Sequence, residues 1–189
     1  MRHMRSGEWE RAWRVSDSLR PSPTASFDPA VPRHQQAVWH GASLEGKRVL
    51  IRCYHGLGDT VQFIRYAPRV AAVAREVIVF AQPVLLPLLS RVAGIDRLLP
   101  LHDGEPEAEY DVDVEVMELP YLFRDTPETI PSRVPYFDVE PAPRRTDGAL
   151  AVGLVWRAGD WGWCPASARR TRMRWTDSAI FNQEPLSGV

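Results

Sequence analysis

The spacing of apolar positions changes along the chain, and the changes mark its elements. Between residues 6 and 20, Trp9, Ala12, Trp13 and Ser16 recur at i, i+3, i+4 and i+7, which predicts an amphipathic helix. A single helix of that length is marginal alone and needs a surface to pack on. Arg48-Val-Leu-Ile-Arg-Cys-Tyr54 is a run of β-forming residues between Gly46 and Gly56, and predicts a buried strand. After the loop His55-Gly-Leu-Gly-Asp59 the period becomes helical from Thr60. Val61, Ile64, Ala67, Ala71 and Ala74 fall three or four apart, which predicts a helix to about Arg75 with a kink at Pro68. Glu76-Val-Ile-Val-Phe80 predicts a second strand, Val84 to Val92 a short helix entered through Pro83, and Gly94 to Leu101 a third strand. Asp111-Val-Asp-Val-Glu-Val116 alternates strictly and predicts a fourth strand, with Val112, Val114 and Val116 on one face. Strand, helix, strand, helix, strand, strand is the order of a parallel sheet covered by helices. Residues 47–140 are therefore expected to form one Rossmann-like α/β domain.

The flanks read differently. Residues 1–20 form the short N-terminal helix, and residues 21–46 a linker whose first part, Pro21 to Pro32, holds four prolines among Ser, Thr and Ala. Residues 141–149 form a second Pro-containing linker. In residues 150–189, Leu150-Ala-Val-Gly-Leu-Val-Trp156 is again a strand pattern. The stretch after it, with Trp161, Trp163, Trp175 and four arginines between Arg169 and Arg174, sustains neither period. The expectation is the first strand of a second domain followed by an unstructured tail that does not complete it, from a frameshifted or truncated reading frame.

Composition narrows the function classes. The chain has 189 residues, a formal net charge of −1, 44% hydrophobic and 25% charged residues, as a soluble globular protein has. That charge balance gives no reason to expect nucleic acid or an anionic membrane as partner. The first twenty residues carry no apolar signal core, and no apolar stretch is long enough to predict membrane insertion. Cys53 and Cys164 cannot build a disulfide framework. Cys53 lies in an apolar run and reads as a buried free thiol, so a cytoplasmic location is expected.

The candidate chemistry lies in Gly56-Leu-Gly-Asp59. A glycine turn between a buried strand and a helix start permits positive φ and close approach of a ligand, outside the carboxyl ends of the strands, where open parallel sheets bind ligands. Dinucleotide binding does not fit: the third glycine position is Val61, and Phe80-Ala81-Gln82 stands where an acid is needed. A phosphate loop of the nucleotide-hydrolase kind is absent too. Asp59 reads as a helix N-cap, His55 as a solvent-exposed loop histidine, and Gln62, Arg65 and Arg69 as a solvated helix face. Asp111 and Asp113 resemble an Asp-x-Asp metal pair, but strict alternation assigns them to the polar side of a strand, so no metal site and no cofactor is expected.

A family resemblance adds to this. Trp39-His-Gly41, Gly46-Lys-Arg-Val-Leu50, Gly56-Leu-Gly-Asp-Thr-Val-Gln-Phe-Ile-Arg-Tyr66, Glu118-Leu-Pro120, Thr129-Ile-Pro131, Pro135-Tyr136 and Val152-Gly-Leu-Val-Trp156 occur in this order. The string resembles the glycosyltransferase-like module attached to bacterial tetratricopeptide repeats, related to the heptosyltransferases of glycosyltransferase family 9, over about residues 39–158. The Gly7-Glu-Trp-Glu-Arg-Ala-Trp13 helix resembles the end of such a repeat array, a possible contact for a protein partner. The resemblance implies the N-terminal, acceptor-side half of a GT-B fold and metal-independent transfer of sugar from a nucleotide-sugar to a hydroxyl acceptor. It implies Asp59 as catalytic base, and substrate contacts from His55, Gly56, Gly58, Gln62 and Arg65. Two departures are Tyr54-His55 before the glycines, where that group has an acid and Gln, and a donor domain that stops after its first strand. The chain alone is accordingly expected to be inactive. The alternatives from other classes are a non-catalytic interaction or scaffold fragment and a small-ligand-binding Rossmann domain.

Overall fold

A computed structural model describes residues 2–20 and 31–140. The strand expected at Leu150–Trp156, the linker before it and the tail after it lie outside the described residues.

Two helices open the chain, α1 (Arg2–Arg5) and α2 (Trp9–Leu19), separated at Gly7, whose φ is 72°. The expected apolar face of α2 is present, with Ala12 and Trp13 buried. Its partner is the α/β domain itself. Trp13 Nε1 donates to the Asp125 carbonyl at 3.1 Å, the Trp13 ring lies 5.8 Å from that of Tyr121, and Asp17 accepts from the Tyr121 hydroxyl at 2.8 Å.

Four strands form one all-parallel sheet: β1 (Arg48–Arg52), β2 (Glu76–Ala81), β3 (Arg97–Pro100) and β4 (Val112–Glu115), in the spatial order β3-β2-β1-β4. The register sets Ile51 beside Val79 and Val114. One face therefore carries Val49, Ile51, Cys53, Val77, Val79, Val112 and Val114, packed with Ile64, Tyr66, Ala67 and Val70 of the crossover in the main core. Full burial of each such aliphatic side chain contributes roughly 1.5–3 kcal/mol. The other face, with Leu50, Ile78, Phe80 and Leu99, is covered by Leu101, Ala108 and Tyr110, because the connection from β3 to β4 crosses it without a helix. The architecture is the expected Rossmann-like α/β sheet with flanking helices. The strand order grows outward from β1 through β2 to β3 and then returns to the far side of β1, which places a topological switch point between β1 and β4.

Prolines divide the helical segments more sharply than a kink. After β1 come α3 (Leu57–Phe63), a 3₁₀ turn at Ile64–Tyr66 and α4 (Ala67–Ala71). Pro68 has no N–H to continue the preceding ladder, so it sits in the first turn of a new helix, and the segment ends before Arg75. Pro83 and Pro87 act alike, giving a 3₁₀ turn at Pro83–Leu85 and α5 (Leu86–Leu89) in place of one helix to Val92. Pro120 opens α6 (Leu119–Leu122), too short for its period to be read. Gly94 is needed where it stands: its φ is 80°, and a Cβ there would lie 2.8 Å from Pro68 Cα.

Candidate functional site at the carboxyl ends of the strands

The turn after β1 begins its helix earlier than the spacing predicts, at Leu57 instead of Thr60. Gly56 is therefore the N-cap and Asp59 the third helical residue. Asp59 acts as the returning half of a capping box, accepting the Gly56 amide on Oδ2 at 3.0 Å, and is not itself the N-cap. Its Oδ1 has no hydrogen-bond partner among the described residues. Neither loop glycine uses positive φ: Gly56 has φ −69°, and Gly58 is also outside that region. A Cβ on Gly58 would meet nothing within 4 Å. The fold has no local need for glycine at position 58, and the space above it is open.

Two residues that the sequence pattern did not single out hold this turn. Gln82, just past β2, donates from Nε2 to the carbonyls of Cys53 at 3.0 Å and His55 at 2.7 Å, while its Oε1 accepts from the buried Thr60 hydroxyl at 3.0 Å. Glu115, the last residue of β4, is 1% exposed and accepts from Tyr54 N at 3.3 Å, His55 Nδ1 at 2.8 Å and Met117 N at 2.7 Å. His55 is thus not a free loop side chain: it is partnered to a buried carboxylate across the switch point. Cys53, directly below, is fully buried, and burial pushes its thiol well above the ordinary range, so it is inert.

The segment preceding β1, assigned to the linker by composition, crosses the same edge of the sheet. Arg33 donates to the carbonyls of His102 and Asp103 beyond β3, and its guanidinium lies 5.3 Å from the centre of the Tyr54 ring. The His34 ring stands edge-on to His55 at 6.1 Å. Val38 N and Trp39 N donate to Glu118, which also takes the Glu115 amide. Burial raises the Glu118 carboxyl above its ordinary value, against the pull of these three amides. Residues 33–39 therefore form a strap from the exit of β3 to the exit of β4.

The structure brings His55, Gly56, Gly58 and Asp59 together on one turn and separates Gln62 and Arg65 from them. Gln62 is exposed. Arg65 turns to the segment after α6, with its guanidinium 4.7 Å from the Tyr136 ring centre and hydrogen-bonded to the Tyr136 hydroxyl at 3.4 Å. Arg69 pairs with buried Asp125 at 2.6 Å. Arg65 and Arg69 are consequently braces and not a solvated face. Asp111 and Asp113 pair with Arg48 at 2.9 Å and Arg52 at 2.8 Å, on the polar side of β4 as alternation requires. Among the described residues no group of three or more His, Cys, Asp or Glu could hold a metal ion. No described helix is long and apolar enough to cross a membrane.

Comparison with family models, with curated proteins and with solved structures returns no match.

Proposed function

We propose that this chain is the acceptor-side half of a sugar transferase of GT-B type, holding a hydroxyl acceptor in the crevice between β1 and β4. The observation that carries the reading is Gly58: an exposed glycine in the first turn of a helix, at the switch point, with negative φ and open space above it. Glycine in a helix costs up to about 1 kcal/mol relative to alanine, and close approach of a ligand accounts for its presence. Around it, Asp59 Oδ1 is placed to accept a hydrogen bond from the acceptor hydroxyl, and His55 stands on the same turn. The family resemblance over the Gly56–Tyr66 string supplies the substrate class. Donor contacts belong to the second domain in that family, so nucleotide-sugars should bind the domain of residues 47–140 only weakly. No metal or cofactor takes part in this reading.

Saturation-transfer NMR on the 189-residue chain with a panel of monosaccharides and disaccharides tests it. Sugar contact should appear in the native chain and disappear in Gly58→Val, whose side chain would fill the open space. Sugar contact that survives Gly58→Val, or none with any sugar, defeats the reading. So does a micromolar nucleotide-sugar constant, about −8 kcal/mol, because it would place the donor on the wrong half.

A further inference from the structure

The buried pair at the switch point has a feature that the capping role of Asp59 does not share. His55 is fixed on two sides: its carbonyl accepts from Gln82 Nε2 at 2.7 Å, and its Nδ1 lies 2.8 Å from Glu115 Oε1. Three donors converge on Glu115, from Tyr54 N, Met117 N and His55 Nδ1, so the carboxylate is an acceptor throughout. A carboxylate acceptor at that distance pairs with the Nδ1–H tautomer, which leaves the lone pair on Nε2. Nε2 has no hydrogen-bond partner among the described residues, and it is not one of their buried, unsatisfied atoms. The His55 side chain is 21% exposed while that of Glu115 is 2% exposed. The ring therefore reaches from a closed interior toward the surface.

We propose that His55 and Glu115 form a proton-accepting dyad, with His55 Nε2 as the base that takes the proton of a bound hydroxyl and Glu115 as the positioning residue. This rests on the sugar-transfer reading for its substrate. As the acceptor oxygen attacks the anomeric carbon of a nucleotide-sugar, its proton passes to Nε2. The new C–O bond forms as the bond to the nucleoside diphosphate breaks, and that leaving group departs with the bonding electron pair. Nδ1–H stays on Glu115, whose charge stabilises the imidazolium until Nε2 returns its proton to solvent. Asp59 spends one oxygen on the Gly56 amide and orients the hydroxyl with the other. The dyad assigns the proton to a group with no structural duty on its free side.

The test has an arm that needs no turnover. In the chain labelled with ¹⁵N-histidine at neutral pH, two-bond nitrogen–proton correlations identify the protonated ring nitrogen, and the His55 signals are those missing from His55→Gln. The expected result is Nδ1–H with bare Nε2, and carbethoxylation of Nε2 by diethyl pyrocarbonate that slows about tenfold in Glu115→Gln. Nε2–H in the native chain, or an Nε2 that resists the reagent, overturns the dyad even where Glu115→Gln fails to fold. The second arm is transfer from nucleotide-sugars to the sugars that bind. His55→Gln should lower kcat by about 10²–10⁴-fold, the usual worth of a general base, with acceptor KM within a few-fold. Transfer at the native rate in His55→Gln overturns the dyad and leaves the transferase reading standing. Absence of transfer with every donor is what weak donor binding predicts and leaves the transferase reading to the sugar-contact test, and the dyad is then decided by tautomer and acylation.

Discussion

Two buried carboxylates, Asp125 and Glu115, hold this fold together and do so in opposite ways. Asp125 is 2% exposed and collects the Tyr66 hydroxyl at 2.5 Å, Arg69 at 2.6 Å and the Thr129 hydroxyl at 2.9 Å, while its carbonyl takes Trp13 Nε1. Those partners come from the crossover, from α2 and from the turn after α6, so Asp125 ties three segments together. Burial, followed by the hydrogen bond to Asp125, pushes the Tyr66 phenol above its ordinary range, so it too is closed to chemistry. Glu115 collects two backbone amides and an imidazole, and the imidazole has a second nitrogen with no hydrogen-bond partner among the described residues. A buried acid that gathers donors from separate segments is a tie. One that holds a partly exposed imidazole is, in the proposed dyad, a positioning group.

If that distinction is right, stability and site chemistry should separate between the two. The largest loss is expected from Asp125→Ala, which leaves Arg69 and Tyr66 without this acceptor, while the backbone carbonyl that takes Trp13 Nε1 remains. Breaking a buried pair and its hydrogen bonds should cost about 3 kcal/mol, read from the midpoint of urea unfolding at unchanged slope. A loss under half of that would mean that Asp125 is not the tie described. Glu115→Gln should cost less, about 1–3 kcal/mol, because an amide still accepts on one side but turns a donor toward another donor on the other. If Glu115→Gln proves the more damaging of the two, the contrast fails.

A smaller effect, of opposite sign, is expected at the mouth of the crevice. Gly58→Ala adds a methyl where nothing lies within 4 Å and the backbone needs no positive φ. It should stabilise the chain by about 0.4–1 kcal/mol, seen as a higher Tm, while weakening sugar contact. A lower Tm would mean that position 58 has a structural reason for glycine. The last test concerns an acid at the rim. The side-chain hydrogen bond from Arg48 lowers the Asp111 carboxyl from its ordinary 3.8 to about 2. A carboxyl lowered in the folded state stabilises it above its unfolded value and loses that contribution as pH falls through the folded one. Asp111→Asn should therefore flatten the fall of Tm between pH 3.8 and pH 2, with little change near neutrality. An identical acid profile for the variant would show that the pair is inert.

How much of this was legible before folding depends on the range over which each cause acts. The strand runs at Arg48–Arg52, Glu76–Ala81 and Val112–Glu115 follow from short alternating or apolar runs, and the Trp13 face of α2 from its spacing. The open turn Gly56–Asp59 was visible because glycine pairs between strand and helix are a local signal. The break at Pro68 was only half visible. The missing N–H is local, but whether the chain kinks or restarts depends on what packs around it, here the close approach of Gly94 to Pro68. Gly94 shows the same limit from the other side, since its spacing alone does not name the helix it touches.

By itself, then, the sequence determined the parallel α/β order, the buried thiol at Cys53 and the place of the glycine turn, because periodicity, burial and turn chemistry act over a few neighbouring residues. Tertiary structure alone decided which side chains meet at that turn. Gln82 lies 27 residues from His55, Glu115 lies 60 from it, and Glu118 lies 79 from Trp39. Only the strand order β3-β2-β1-β4 sets the exits of β1 and β4 side by side and draws residues 33–39 across them. A hydrogen bond acts over about 3 Å, whereas sequence separation carries no distance until the sheet fixes one.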